Sequence, residues 1–215
     1  YDFNSMLNFN DITIDDFLVD HGFFKTDGIK NIFQSLVKNI LKKDDINLQE
    51  LFNLIQIKLT VKVFNVTKQQ VEYISYENFP DLSIITLAQM TTAIALFFKP
   101  VKYKDHLYVD GGMRGNLPIE ACGSKNYLGI YIKGSIFPKN DIIQLFPIIE
   151  FIYSLMVCQD EIVHQIKNKK KTDPRIIFNE VNLGLDFNVT QETKIKVIQE
   201  AYEITMKHIN DHQLN

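Results

Sequence analysis

Two hydrophobic periods alternate along this chain, and their alternation restricts its architecture more than any composition figure does. In GIKNIFQSLVKNILKK, Ile29, Ile32, Phe33, Leu36, Val37, Ile40 and Leu41 recur at steps of three and four, the stripe of an amphipathic helix. The next long run, IKLTVKVFNV at 57–66, alternates and is β-branched, as a strand requires. Shorter helical patterns occupy 13–20 and 47–55. EYISYENF at 72–79 reads as a second strand ended by Pro80. LSIITLAQMTTAIALFF at 82–98 is almost wholly apolar or small, which predicts one buried helix with Pro100 beyond its end. HLYVD, YLGIYIKG at 127–134 (a buried strand) and RIIFNEV at 175–181 complete the strands. A long helix ending near Asn168 lies between the last two, its Lys169–Lys171 run a solvated end favoured by the helix dipole. Thr190 caps a final helix with core positions at Ile195, Ile198, Tyr202, Thr205 or Met206, and Ile209. Strands separated by helices predict an α/β sheet with parallel content. With no repeat and no linker-like stretch, one domain is expected.

Composition narrows the function classes. A net charge of −3 over 215 residues gives no long-range attraction to nucleic acid. Two cysteines, Cys122 and Cys158, are too few for a disulfide framework and suit a reducing, cytoplasmic compartment. The apolar run at 142–158 contains Gln144, Pro147 and Glu150 and falls short of the roughly 20 uncharged residues of a spanning helix, so it is expected to be a buried helix. The opening YDFNSMLNFND has neither the basic nor the apolar region of a signal peptide. It also has no initiator Met, so residue 1 is expected not to be the natural start.

The candidate chemistry lies in TTAIALFFKPVKYKDHLYVDGGMRGNLPIEA. Asp-Gly after a strand is by itself a turn signal. In this order, however, a small-residue helix, Phe-x-Pro, a hairpin-like Tyr…Tyr, Asp-Gly-Gly and then Asn-x-Pro, the segment resembles the patatin-like phospholipase family. HGFFKTDGIKNIF resembles that family's Gly-Leu-Phe helix start, and DFNVTQETKIKVIQEAYEITMKHI its closing helix. The resemblance implies a three-layer α/β/α sheet with helices on both faces, residues 1–215 forming a single patatin-like domain whose N-terminal part is missing. It implies acyl-ester hydrolysis by a Ser-Asp dyad on lipid or phospholipid at a membrane surface, without cofactor or metal, by a cytoplasmic protein peripheral to membranes. Asp110 matches the dyad base, Gly111 and Gly112 the active-site glycines, and Asn116 and Pro118 the Asn-x-Pro that shapes the following loop. The family's Ser pair is Thr91-Thr92 here, and its helix proline is Ala95.

No serine stands in the family's Gly-x-Ser-x-Gly elbow. The one glycine pair at that spacing, Gly111 and Gly115, encloses Met113. The nucleophile and the glycine-rich oxyanion loop are therefore expected upstream of Tyr1, and the chain alone is expected to be poorly soluble and inactive. Ser5, Ser35, Ser75, Ser83, Ser124, Ser135 and Ser154 fit surface or capping roles. His208 and His212, at helical spacing with Asp211 between, have no Glu partner in the metalloprotease pattern. Cys158 suits an inert core thiol, and Phe97 and Phe98 suit core positions. Two alternatives remain: a non-catalytic relative acting as a binding or structural protein, and an unrelated α/β module in which Asp-Gly-Gly is only a turn.

Overall fold

The computed structural model describes residues 14–123, 126–134, 173–181 and 189–212. They fall into two compact units, Tyr1–Arg114 and Gly115–Asn215.

In the first unit, helices α1 (Ile14–Asp20), α2 (Asp27–Leu41) and α3 (Leu48–Ile55) precede strands β2 (Val61–Asn65) and β3 (Gln70–Ile74), and strand β1 (Gly22–Phe24) follows α1. Helix α4 (Ile84–Thr92) leads to β4 (Leu96–Phe98), β5 (Val101–Tyr103), β6 (His106–Asp110) and a 3-10 turn, Gly111–Arg114. The helix starts follow their caps. Asn47 accepts the Glu50 N–H at 2.8 Å, and the Ser83 hydroxyl accepts those of Ile85 and Thr86 at 3.1 and 3.2 Å, each satisfying donors that the first helical turn leaves without partners. α2 and α3 both stop on a left-handed residue, Lys42 and Gln56.

β3, β2, β6 and β5 form an antiparallel sheet in that order. The register places Val63 opposite Asp110 and Asn65 opposite Tyr108. Because cross-strand partners share a face, these four residues point the same way. Val63 and Tyr108 are buried there with Leu87 and Met90 of α4, Leu48 of α3, Ile74 and Leu82. At about 1.5–3 kcal/mol for each fully buried large side chain, this cluster fixes α4 against the sheet.

Both strands are shorter than their apolar runs. Residues 57–60 lie outside the ladder, with Ile57 and Leu59 exposed. After Ile74, Asn78 accepts the Ser75 N–H at 2.8 Å and donates to the Tyr73 carbonyl at 2.8 Å, so side-chain bonding replaces the ladder.

The apolar run expected as one helix over 82–98 divides into α4 and β4. At the end of α4 the Thr92 hydroxyl donates back to the Ala88 carbonyl at 2.7 Å. Ala93 leaves helical geometry at φ −76°, ψ 78°, and Leu96 takes a left-handed φ of 69°. β4 then pairs in parallel with β1, Gly22 opposite Leu96 and Phe24 opposite Phe98. A Cβ on Gly22 would lie 2.3 Å from the Phe98 carbonyl oxygen, so this close pairing needs glycine there. Phe98 is buried, as expected of a core aromatic, while Phe97 is half-buried and packs tilted against Phe24 with ring centres 4.8 Å apart.

In the second unit, β7 (Gly129–Gly134) pairs in parallel with β8 (Ile176–Val181), and α5 (Gln191–His212) packs on β8. Thr190 caps α5, accepting the Thr193 N–H at 3.2 Å. At the start of β8, Asp173 accepts two bonds from the Arg175 guanidinium, at 2.8 and 2.7 Å, and the Tyr127 hydroxyl at 3.0 Å. Hydrogen bonding to Arg175 holds the Asp173 carboxyl well below its usual range. Two expectations fail here. β7 is not buried throughout, since Ile130 and Ile132 are exposed while Gly129 and Tyr131 are buried. The expected core stripe of α5 holds only toward the helix end, where Thr205 and Ile209 are half-buried, while Ile195, Ile198, Tyr202 and Met206 are exposed. The partly buried face is Val197, Ala201, Thr205 and Ile209, a stripe that shares Thr205 and Ile209 with the expected one and that periodicity could not rank against it. The expected helix at 142–168, with Cys158 and the lysine run, lies outside the described residues.

Candidate active site

Asp110 is the last residue of β6 and stands where the sheet, α4 and the 3-10 turn meet. Its backbone is fixed on two sides: Val63 is its ladder partner, and its N–H donates to the Ala93 carbonyl, just past the end of α4, at 2.9 Å. The carboxylate is half-buried, and its Oδ1 accepts the Gly112 N–H at 2.7 Å. Among the described residues Oδ2 accepts no hydrogen bond. Burial pushes the Asp110 carboxyl above its ordinary range, and the Gly112 N–H offsets this only in part. The result is a held carboxylate with one free oxygen and raised basicity, the features asked of a general base.

Gly111 and Gly112 lie in a right-handed 3-10 turn, so a positive φ is not what requires them. Gly111 is required by packing. A Cβ there would lie 2.5 Å from the Lys62 carbonyl oxygen and 2.7 Å from Lys62 Cγ, too close for any side chain. Gly112 supplies the N–H that reaches Asp110. Asn116 and Pro118 belong to the second unit: Asn116 is exposed in a bend, and Pro118 precedes a short 3-10 helix, Ile119–Ala121.

Thr91, which stands where the family has serine, donates its hydroxyl to the Lys62 carbonyl at 3.3 Å. Lys62 is buried at 9% exposure, and its ammonium donates to the Arg114 carbonyl at 2.7 Å. Sequence reasoning passed over this lysine, because Lys within an alternating strand reads as solvent-facing. Beside Asp110 on the same face, Tyr108 is buried, and desolvation together with the nearby Glu72 raises its hydroxyl to about 12. It is a neutral donor at physiological pH.

The other candidates have contacts of their own. Ser83 caps α4, and the Ser75 hydroxyl accepts the Glu77 N–H at 3.3 Å. His208 and His212 stack with ring centres 4.4 Å apart, and His208 Nε2 lies 2.7 Å from the Pro174 carbonyl. Among the described residues no group of three His, Cys, Asp or Glu side chains could hold a metal ion, and no helix is long and apolar enough to cross a membrane. Cys122 is exposed.

The crystal structure of VipD from Legionella pneumophila matches with a TM-score of 0.53 at 20% identity, covering 78% of this chain and 35% of that one. At that identity the likeness concerns the fold. A probable lipid hydrolase, 463L, of Invertebrate iridescent virus 6 is 33% identical over 94 residues, which are 42% of this chain and 32% of the viral protein. The matched region thus spans about a third of either relative's length. The family model described as patatin-like phospholipase matches residues 1–122, more than half of the 215. The chain has the mixed α/β patatin fold and belongs to the patatin-like phospholipase family.

Proposed function

We propose that the protein containing this chain is a lipid acyl hydrolase working through a Ser-Asp dyad, with Asp110 as the base and a serine outside these 215 residues as the nucleophile. One observation carries the reading: the Asp110 carboxylate is fixed at its backbone and at Oδ1, partly desolvated, and left with Oδ2 for a hydroxyl donor. Family membership and the likeness to a viral probable lipid hydrolase support the substrate class, fatty acyl esters of phospholipids or neutral glycerolipids. In the proposed reaction Asp110 takes the serine proton as the oxygen attacks the ester carbonyl. The alcohol leaves, an acyl-serine forms, and water releases the fatty acid. The raised basicity of Asp110 favours the proton transfer, since a base works best with a pKa approaching the operating pH. Residues 1–215 would then form part of one patatin-like domain in a cytoplasmic protein that meets its substrate at the membrane surface, with Gly111 and Gly112 at the reacting centre and Asn116 and Pro118 shaping the loop that follows.

Fluorophosphonate labelling and p-nitrophenyl ester turnover by the full-length protein test this. Wild type should label and turn over, and Asp110→Asn should lose activity by roughly 10³-fold or more, the scale seen when a member of a catalytic triad is removed. Undiminished turnover by the variant would exclude Asp110 as the base. A full-length wild type that neither labels nor turns over would favour the non-catalytic alternative.

A further inference from the structure

Lys62 is a buried cation with no part in the chemistry just described. A lysine at 9% exposure is unusual, because burying an ammonium is costly unless hydrogen bonds replace its water. Here the ammonium donates to the Arg114 carbonyl at 2.7 Å, the last carbonyl of the 3-10 turn, where helical geometry leaves acceptors without internal partners and favours positive charge. Its stem lies beneath the start of the same turn, Cγ 2.7 Å from where a side chain on residue 111 would begin. Its carbonyl accepts the Thr91 hydroxyl from the end of α4 at 3.3 Å, and the next residue, Val63, is the ladder partner of Asp110. Two residues further along the strand and on the same face, the Phe64 ring carries the Arg114 guanidinium at 5.4 Å. β2 therefore grips the turn at both ends.

We propose that Lys62 is a positioning residue for this turn: from the face of the sheet opposite Asp110, its ammonium closes the turn at Arg114 and so keeps the Gly112 N–H on the carboxylate. The role rests on the reading of Asp110 as base. Without the ammonium the Arg114 carbonyl loses its donor and the turn relaxes. The Gly112 N–H, which steadies the ionised carboxylate, then weakens.

The test is the pH profile of ester turnover by the full-length protein. Lys62→Met keeps the stem and deletes the donor. We expect kcat to fall roughly 10–100-fold, the scale of a small misplacement of a catalytic group, with KM little changed and the acid limb of kcat/KM moved to higher pH. Lys62→Arg, which keeps a donor, should recover part of both. A folded Lys62→Met protein with wild-type kcat and acid limb, in a background where Asp110→Asn is inactive, would overturn the role of Lys62 alone. Full turnover by Asp110→Asn would overturn the base assignment and the role of Lys62 with it. If Lys62→Met does not fold, Thr91→Val removes the hydroxyl that holds the Lys62 carbonyl; a smaller upward shift of the acid limb supports the role, and an unmoved limb overturns it.

Discussion

Asp110 carries opposite consequences for reactivity and for stability. Burial raises its carboxyl above the ordinary 3.8, so the folded state holds the proton more tightly than the unfolded chain does. Stability from this group is then fully present below pH 3.8 and is lost as pH rises through the higher folded value. Asp110→Asn keeps an oxygen for the Gly112 N–H and removes the buried charge. The variant should therefore melt above wild type at neutral pH, with the gap closing as pH falls below the ordinary Asp range, measured by thermal unfolding across pH. An equal gap at every pH would contradict the desolvation account. Asp110 stood out in the sequence as a candidate because several weak signals stood in order around it: small-residue helix, Phe-x-Pro, hairpin and Asp-Gly-Gly. Lys62 did not, because alternation gives a residue's face and says nothing of what covers that face. The glycines were legible by type, but the packing of Gly111 against the Lys62 backbone, which requires it there, was not.

At the scale of elements, α4 links the core to the site. Its first turn is capped by Ser83, and the carbonyl just beyond its last turn, that of Ala93, receives the Asp110 N–H. Ser83→Ala should cost about 1 kcal/mol, the usual value of a lost N-cap, read as a lower urea midpoint with an unchanged slope. No loss would mean that packing of Leu87 and Met90 alone sets where the helix begins. The division of 82–98 into helix and strand could not be read from apolar content, because short buried runs look alike in either state. What decides it is Gly22–Phe24, a distant segment that offers β4 a parallel partner. The strand expected at 57–66 forms over 61–65 and that at 72–79 only over 72–74 of a β3 that begins at Gln70, with Asn78 bonding the backbone beyond Ile74.

At the scale of the molecule, the mixed α/β class was readable from the switching of hydrophobic periods, and the family from the order of motifs around residue 110. The side of α5 that meets β8 was not, because the helix carries two apolar stripes. The outward one, with Ile198 at 69% and Tyr202 at 64% exposure, forms an apolar surface of the kind that binds dyes and promotes association. Replacing both residues with Lys should reduce ANS fluorescence and raise the solubility of the 215-residue chain while leaving its helix content by circular dichroism unchanged. A fall in helicity would mean that this stripe is part of the fold's own packing. The ladder between β1 and β4 has a further consequence. It joins segments separated by most of the first unit, including all of α2, α3 and α4, so closing it carries a large loop entropy and belongs late in folding. During synthesis, a nascent chain that has not yet reached Phe98 holds Gly22–Phe24 without its parallel neighbour, and translation speed across that interval would govern how long the segment is open to pairing with the wrong strand.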